Sequence, residues 1–354
     1  MHRGAERYLE DLASYLGTAG HRVRILTTSP APLPTRADGI PVLTRGRGAW
    51  TWLTRRGVDP LVAFVPAMLP PLVRDPARIV HALSPADGAA AVLTRGRRRA
   101  VVTTLMGIPF RWWNERTGGG VAMWRTVLRG ADGIVCLSSF AARVLETDYG
   151  RTEGVHVIPP GVDVDRFRPG GERSEAPTVL FASALDEPRK RFPLLLEAFT
   201  RLATEHPDLR VVANGTGERG PAVAARDALP AELRERVVLR APGEVPIEED
   251  YRRAWVTALP SRNEAFGLVL AESLACGTPV VGADDGGIPD VVSDDAIGRR
   301  FAPDDPDALA AALSAVLELS GEDGVRERCR TSAMRFDMTS AVGPAIEAVY
   351  REAA

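Results

Sequence analysis

Two glutamates with seven residues between them, Glu264 and Glu272, frame the stretch SRNEAFGLVLAES, residues 261–273. Far from them in the chain, LDEPRKRF (185–192) carries Lys190, the one lysine among 44 basic residues. Around the glutamates the pattern reads as the end of a strand at Leu259, a loop with Ser261, Asn263 and Glu264, and a helix beginning near Phe266. The first amides of that helix, on Phe266, Gly267 and Leu268, have no partner inside it, and with the helix dipole behind them they make an anion site. Gly267 lets a ligand approach the backbone closely. Glu264 falls just outside the helix and Glu272 inside it. Carboxylates on both sides of an anion site suit a ligand with phosphates at its centre and hydroxyls at its ends, a description that fits a sugar nucleotide. Lys190 poses a separate question: what requires a compact ammonium where Arg189 and Arg191 supply planar forks on either side?

Such residues need a scaffold. In the chain of 354 residues, short β-rich apolar runs alternate with helical patterns. Residues 6–18 read as a helix with Tyr8, Leu9, Leu12 and Leu16 on one face. HRVRILTT, RIVHAL (78–83), AVVTTL (100–105), GIVCLS (133–138) and GVHVIP (154–159) read as strands, with helices such as ADGAAAVLTRG and SFAARVLETDYG among them. After a polar stretch at 168–177 the rhythm restarts with TVLFASA, LRVVAN, RVVLRA, WVTALP and TPVVGA, and from about 304 the tail is helical. Strand–helix alternation of this kind gives α/β domains with parallel sheets covered on both faces. The expectation is two doubly wound domains, 1–165 and 166–337, facing each other across a cleft, with a last helix at about 338–354 packing back on the first domain. Ligands of such sheets sit at the carboxyl ends of the strands. The first domain opens with a helix rather than a strand. HRGAER looks like the end of a strand-to-helix turn, so either the reading frame starts late or the first sheet lacks a strand.

Composition narrows the classes. A formal net charge of −2 carries no global basic field for nucleic acid. Cys136, Cys276 and Cys329 form no pair motif, which fits a reducing cytoplasm, and no basic-then-apolar leader opens the chain. The apolar stretch PLVAFVPAMLPPLV is short and proline-broken, so no membrane span is expected.

The 264–272 stretch, followed by ACGTPVV, resembles the donor signature of retaining glycosyltransferases of family 4, also described as group 1 glycosyl transferases. GGIPDVV resembles that family's next helix, VIPPGVDVDRFRP its interdomain segment, and RGAERYLEDLASYLGTAGHRVRILT its first helix and second strand. The likeness covers nearly the whole chain and implies the GT-B fold of two facing Rossmann-like domains. It implies a retaining transfer of sugar from a nucleotide diphosphate sugar to an acceptor hydroxyl, independent of metal and of any cofactor. Carried over by position, Lys190 contacts the donor diphosphate as a point charge, Glu264 holds the donor sugar and Glu272 the ribose. Phe266, Gly267, Leu268, Gly215, Val245 and Arg189 line the donor site. Gly4 and Met106 fall on the acceptor side; His81 ends a strand and could face the cleft there, with a satisfied strand-end histidine as the favoured reading. The acceptor itself, a saccharide, a glycolipid or a small natural product, is not written in the motifs.

Three positions depart from the pattern. Ala184 stands where the family has a second diphosphate-binding arginine, a task Arg189 or Arg191 could take over. Met106 stands where a histidine is common. The opening strand is missing. Together they define an alternative, a nucleotide-binding pseudoenzyme of the same fold. A remote alternative, a nicotinamide-dependent oxidoreductase, comes from NGTGERG (214–220), a literal G-x-G-x-x-G between strand and helix. Against it, the motif follows the second strand of its domain and no acid closes RVVLRA. The DVD of residues 163–165 reads as structural, and His2, His21, His81, His156 and His206 show no zinc spacing. Ser138 or Ser139 reads as a helix cap. RGRRR (95–99) and FRWWNER (110–116) would suit a membrane interface, but a solvated loop with core tryptophans is the favoured reading.

Overall fold

The computed structural model describes residues 4–28, 39–96, 99–116, 120–241 and 243–354. The chain divides into two units: residues 4–161 with 338–354, and residues 162–337. In the first, α1 (Gly4–Thr18) precedes β1 (Ile25–Thr27), β2 (Val42–Thr44), α2 (Arg47–Thr54), α3 (Pro60–Arg74), β3 (Ile79–Ala82) and α4 (Pro85–Leu93). Then come β4 (Ala100–Leu105), α5 (Arg111–Arg116), α6 (Gly120–Gly130), β5 (Gly133–Cys136), α7 (Ser139–Tyr149) and β6 (Val155–Val157). Helix α1 forms because Tyr8, Leu12, Ala13 and Leu16 recur at helical spacing and are buried together. Ser138 caps α7 by accepting from the Ala141 amide at 3.2 Å, the role its position suggested.

The first sheet is in two pieces. Strands β3-β4-β5-β6 form one parallel sheet, and β1-β2 form a separate parallel pair. Leu26 of β1 and Val80 of β3 pack on the same buried cluster of Met68, Leu72 and Ala90. Among the described residues no strand precedes α1, and Gly4 already belongs to that helix. Of the turn expected at HRGAER, His2 and Arg3 lie outside the described residues, as do Arg97 and Arg98 of RGRRR and the side chains of Trp113, Asn114 and Arg116 in FRWWNER.

The prolines of PLVAFVPAMLPPLV do not break it. Helix α3 runs through Pro66, Pro70 and Pro71 with Ala63, Ala67, Met68 and Leu72 buried on one side. Asp59 caps it by accepting from the Leu61 amide at 2.8 Å, and packing of the apolar face outweighs the lost backbone bonds. Among the described residues no helix is long and apolar enough to cross a membrane.

The C-terminal helix, Gly343–Ala353, belongs to the first unit. Val349 meets Gly133 so closely that a Cβ there would lie 2.8 Å from its Cγ1. Glu347 takes hydrogen bonds from Tyr15 (3.3 Å) and His21 (2.7 Å). His81 Nδ1 shares a hydrogen bond of 2.6 Å with Tyr350 Oη, and its Nε2 another of 2.6 Å with Thr104 Oγ1. Tyr8 Oη lies 3.2 Å from the same threonine.

The second unit begins with β7 (Thr178–Phe181) and a single 3-10 turn at Pro188–Lys190. It continues through α8 (Phe192–Leu202), β8 (Arg210–Ala213), α9 (Gly220–Asp227), α10 (Ala231–Arg234), β9 (Val237–Leu239), α11 (Ile247–Arg253) and β10 (Val256–Leu259). It ends with α12 (Leu268–Ala275), β11 (Val280–Ala283), α13 (Ile288–Val291), β12 (Gly298–Phe301), α14 (Pro306–Ser320) and α15 (Val325–Ala333). Its strands pair in parallel in the order β12-β11-β10-β7-β8-β9. Every residue of β7, β10 and β11 is buried, as strands covered on both faces must be. The sixth strand, β12, is absent from the sequence reading. It is an edge strand in which only Gly298 and Phe301 are buried while Arg299 and Arg300 face outward, so it lacks an apolar run. Between β7 and β10 the strand order reverses, and a crevice for ligand opens at such a switch point.

Candidate functional site

The two loops that leave this switch point carry Lys190 and Glu264. Lys190 closes the 3-10 turn after β7, and Glu264 sits in the loop after β10. Lys190 Nζ donates to Glu264 Oε2 at 2.6 Å, with only 11% and 14% of the two side chains exposed. Arg189 Nη1 reaches the same oxygen at 3.3 Å, while its Nε pairs with Glu187 at 2.9 Å. Arg191 turns elsewhere, to Asp304 Oδ1 at 2.5 Å. Of the two arginines that could stand in for the one missing at Ala184, Arg189 is therefore the one beside Glu264. Burial pushes the Glu264 carboxyl up, but Lys190 and Arg189 more than offset this and hold it below the ordinary carboxylate range.

Helix α12 starts at Leu268, two residues after the expected start. Gly267 is its cap, in a left-handed conformation at φ 103° with no side-chain cap bond. That turn aims the chain so that Leu270 and Ala271 bond back to the Gly267 carbonyl, and the amides ahead of them stay outside the helical ladder. Phe266 is buried edge-on against Phe336 with ring centroids 5.2 Å apart. Glu272, one turn into the helix, is buried and accepts from Tyr251 Oη at 2.9 Å.

Gly215 belongs to the loop after β8. A Cβ there would lie 1.7 Å from the Ser183 carbonyl oxygen, so only glycine lets this loop meet the one after β7. Thr216 accepts from the Leu185 amide across the same contact, at 2.9 Å. Asn214, just before it, donates to the Val245 carbonyl at 3.2 Å and to Asp250 at 2.6 Å, which draws the Val245 segment alongside. Arg240, the residue after β9, pairs with Asp250 at 3.0 Å. Burial raises the Asp250 carboxyl despite Asn214 and Arg240. The strand after G-x-G-x-x-G thus ends in a cation where a dinucleotide site would hold an acid.

The structure thus brings Lys190 and Arg189 to Glu264, whose loop leads through Phe266 and Gly267 into Leu268, and sets Gly215 and Val245 on adjoining loops. A concavity of about 1030 Å³ lined by Arg168, Arg173, Arg210 and Arg252 opens at the other end of the sheet, where β7 and β8 begin. In the first unit, Gly4 starts α1 and Met106 follows β4. His81 has both ring nitrogens engaged by Tyr350 and Thr104, and burial lowers its pKa to about 4. It is a neutral histidine with both ring nitrogens engaged, the satisfied strand-end histidine that its position suggested. Asp163 of DVD accepts from the amides of Asp165 (3.2 Å) and Arg166 (3.0 Å), a turn-forming role. Sequence reasoning missed Arg262, Asp285 and Asp304, whose side chains meet across loops far apart in the chain.

Comparison with known proteins supplies the family and the fold. The family model described as Glycosyltransferase Family 4 matches residues 2–166, and that described as Glycosyl transferases group 1 matches residues 163–335. A protein of Kineococcus radiotolerans named D-inositol 3-phosphate glycosyltransferase is 31% identical over 360 residues, covering 89% of this chain and 82% of its own. One of the same name from Xylanimonas cellulosilytica is 36% identical over 251 residues, 64% of this chain. That match spans 58% of the Xylanimonas protein, a little over half its length. Among solved structures, Anabaena Alr3699/HepE in complex with UDP-glucose superposes with a TM-score of 0.76 over 99% of this chain and 96% of its own, at 19% identity.

Proposed function

We propose that this chain, which belongs to glycosyltransferase family 4, moves a glycosyl group from a nucleoside diphosphate sugar to an acceptor hydroxyl, with retention of configuration and without a metal ion. The observation that carries the reading is the Lys190–Glu264 contact at the switch point of the second sheet, beside the start of α12. Two cations, Lys190 and Arg189, share the Glu264 carboxylate there, with Glu187 also paired to Arg189, and the Glu264 loop leads directly into the N-terminus of α12, so a diphosphate would meet cations and free amides. A diphosphate entering would draw Lys190 from Glu264 and free that carboxylate for the hydroxyls of the sugar. Glu272, held by Tyr251, would take the ribose.

In the reaction, the bond from the anomeric carbon to the diphosphate oxygen breaks and the diphosphate leaves with the electron pair. The acceptor oxygen bonds to that carbon from the same face, and its proton passes to the departing diphosphate. The protein's task is to stabilise charge growing on the leaving group, which fixed cations and amides in a dry site do well. The buried, unpaired Cys136, Cys276 and Cys329 support a reducing, cytoplasmic setting.

A thermal-shift panel of nucleoside diphosphates and their sugars tests the reading. The cognate ligand at 100 times its Kd adds ~2.7 kcal/mol of stability. UDP-glucose, and D-inositol 3-phosphate as acceptor, are the first to try, following the neighbour and the relatives. Lys190→Ala should abolish the shift and lower turnover on the order of 10²–10³-fold with the fold intact. An unchanged shift and rate in that variant overturns the proposal.

A further inference from the structure

Three non-glycine residues among those described have a positive φ: Arg191 (57°), Asn263 (52°) and Asp304 (63°). Side chains favour such backbone only where surroundings hold it, and such residues gather at functional sites. All three lie in one cross-linked rim. Arg262 Nε pairs with Asp285 Oδ2 at 2.7 Å, and its Nη1 with Asp304 Oδ2 at 3.1 Å. Asp304 takes Arg191 on its other oxygen at 2.5 Å. Asp285 also accepts from the Asn263 amide at 3.0 Å. Along the backbone, the Arg262 amide donates to the Arg189 carbonyl at 2.8 Å, and the Gly287 amide to the Glu264 carbonyl at 2.8 Å. A Cβ on Gly286 would lie 2.2 Å from that same Glu264 carbonyl oxygen, so the third loop is seated directly on the second.

These contacts join the loops that follow β7, β10, β11 and β12, the four neighbouring strands on one side of and across the switch point. The Arg262 side chain bridges two of the loops with a forked pair, and its own amide reaches a third. An isolated exposed pair of this kind would hold little, but a fork that closes a network acts on every loop it touches. Lys190 and Glu264 make no contact with the Arg262 side chain. They are the residues immediately beyond the joints it makes.

We propose that Arg262 is a positioning residue, whose paired contacts to Asp285 and Asp304 lock the Lys190 turn onto the Glu264 loop and so preform the diphosphate clamp before donor arrives. The inference rests on the functional reading above for its purpose, and on the rim alone for its mechanics. Preformed geometry lowers the ordering cost of binding, so its loss should weaken diphosphate binding without touching any atom of the ligand.

The test uses the whole chain with Arg262→Ala and Arg262→Lys, followed by residue-resolved amide hydrogen exchange and by calorimetric titration with UDP, GDP and ADP. In Arg262→Ala, exchange at 189–191, 262–264 and Gly287 should quicken at least tenfold while the amides of β7, β10 and β11 keep their protection. The Kd of whichever diphosphate the wild type binds should rise about tenfold. Arg262→Lys, a single point charge without the fork, should restore only part of both effects. If exchange in the rim and the Kd stay within twofold of wild type, the proposal is overturned. It is overturned equally if the sheet amides lose protection to the same extent, because Arg262 then holds the fold rather than the clamp. If the rim loosens selectively and the wild type binds none of the three diphosphates, positioning stands and the donor reading falls.

Discussion

Both units are parallel sheets wrapped in helices, yet they tie their strand ends together by opposite means. In the second unit the ties are charged. Lys190, Arg189, Arg191 and Arg262 meet Glu264, Asp285 and Asp304 at the carboxyl rim, on backbone that side chains seldom adopt. In the first unit they are neutral and buried. Tyr8, Thr104, His81 and Tyr350 form one hydrogen-bonded line from α1 through β4 and β3 to the C-terminal helix. Burial lowers His81 to about 4 and lifts Tyr8 to about 12, so this line carries no charge at neutral pH. A neutral line fixes architecture and exerts no long-range field. A charged rim keeps a potential that an anionic ligand can use. The diphosphate site proposed above draws on the charged kind of tie, which the second unit has at the carboxyl ends of its strands.

The contrast can be sharpened in order of effect. Glu264→Gln keeps the shape of the rim but removes its central negative charge. Turnover should fall about 100-fold, some 2.7 kcal/mol of barrier, while the bare nucleoside diphosphate binds more tightly because Lys190 and Arg189 lose their competitor. Steady-state kinetics with a parallel titration checks both signs, and loss of diphosphate affinity would break the comparison.

Acid should separate the two units. His81 is lowered in the folded state, so its contribution is complete above its ordinary 6.5 and is lost as pH falls from there toward about 4. From pH 7 to pH 5 that is about 2 kcal/mol, readable by denaturant unfolding and missing from a His81→Asn variant. Glu264 is also lowered, but from 4.5, so its contribution persists until pH falls through its still lower folded value. Hydrogen exchange at pH 5 should therefore show the first unit loosening around β3 and the C-terminal helix while the rim of the second holds. The smallest change is Tyr350→Phe, which removes one partner of the His81 ring and should cost about 1 kcal/mol with the donor-induced thermal shift unaltered.

How much of this was legible in the sequence follows from the range of each interaction. The 264–272 stretch is local, and strand, loop, glycine cap and helix follow one another as the residues dictate. Lys190 was legible through its rarity. The fully buried strands of the second unit announced themselves as apolar runs, whereas β12 did not, because an edge strand needs few apolar side chains and GRRF has one large one. Helix α3 was misjudged because proline rules describe local backbone bonds, and here a buried face decides. The rim could not be read at all. Arg262 finds Asp285 and Asp304 only after four strands have been set side by side, and nothing in their spacing foretells it. The partners of His81 were hidden for a related reason: Tyr350 lies 269 residues away.

That distance has a consequence for how the protein is made. Residues 4–161 leave the ribosome before 162–337, but Gly133, His81, Tyr15 and His21 meet these partners only once Gly343–Ala353 has emerged. Residues 162–337 are complete in themselves before that helix appears. The earlier of these two units is thus completed after the later one, inverting the usual vectorial order, and a stop codon just ahead of Gly343 would leave an open seam on the older of the two.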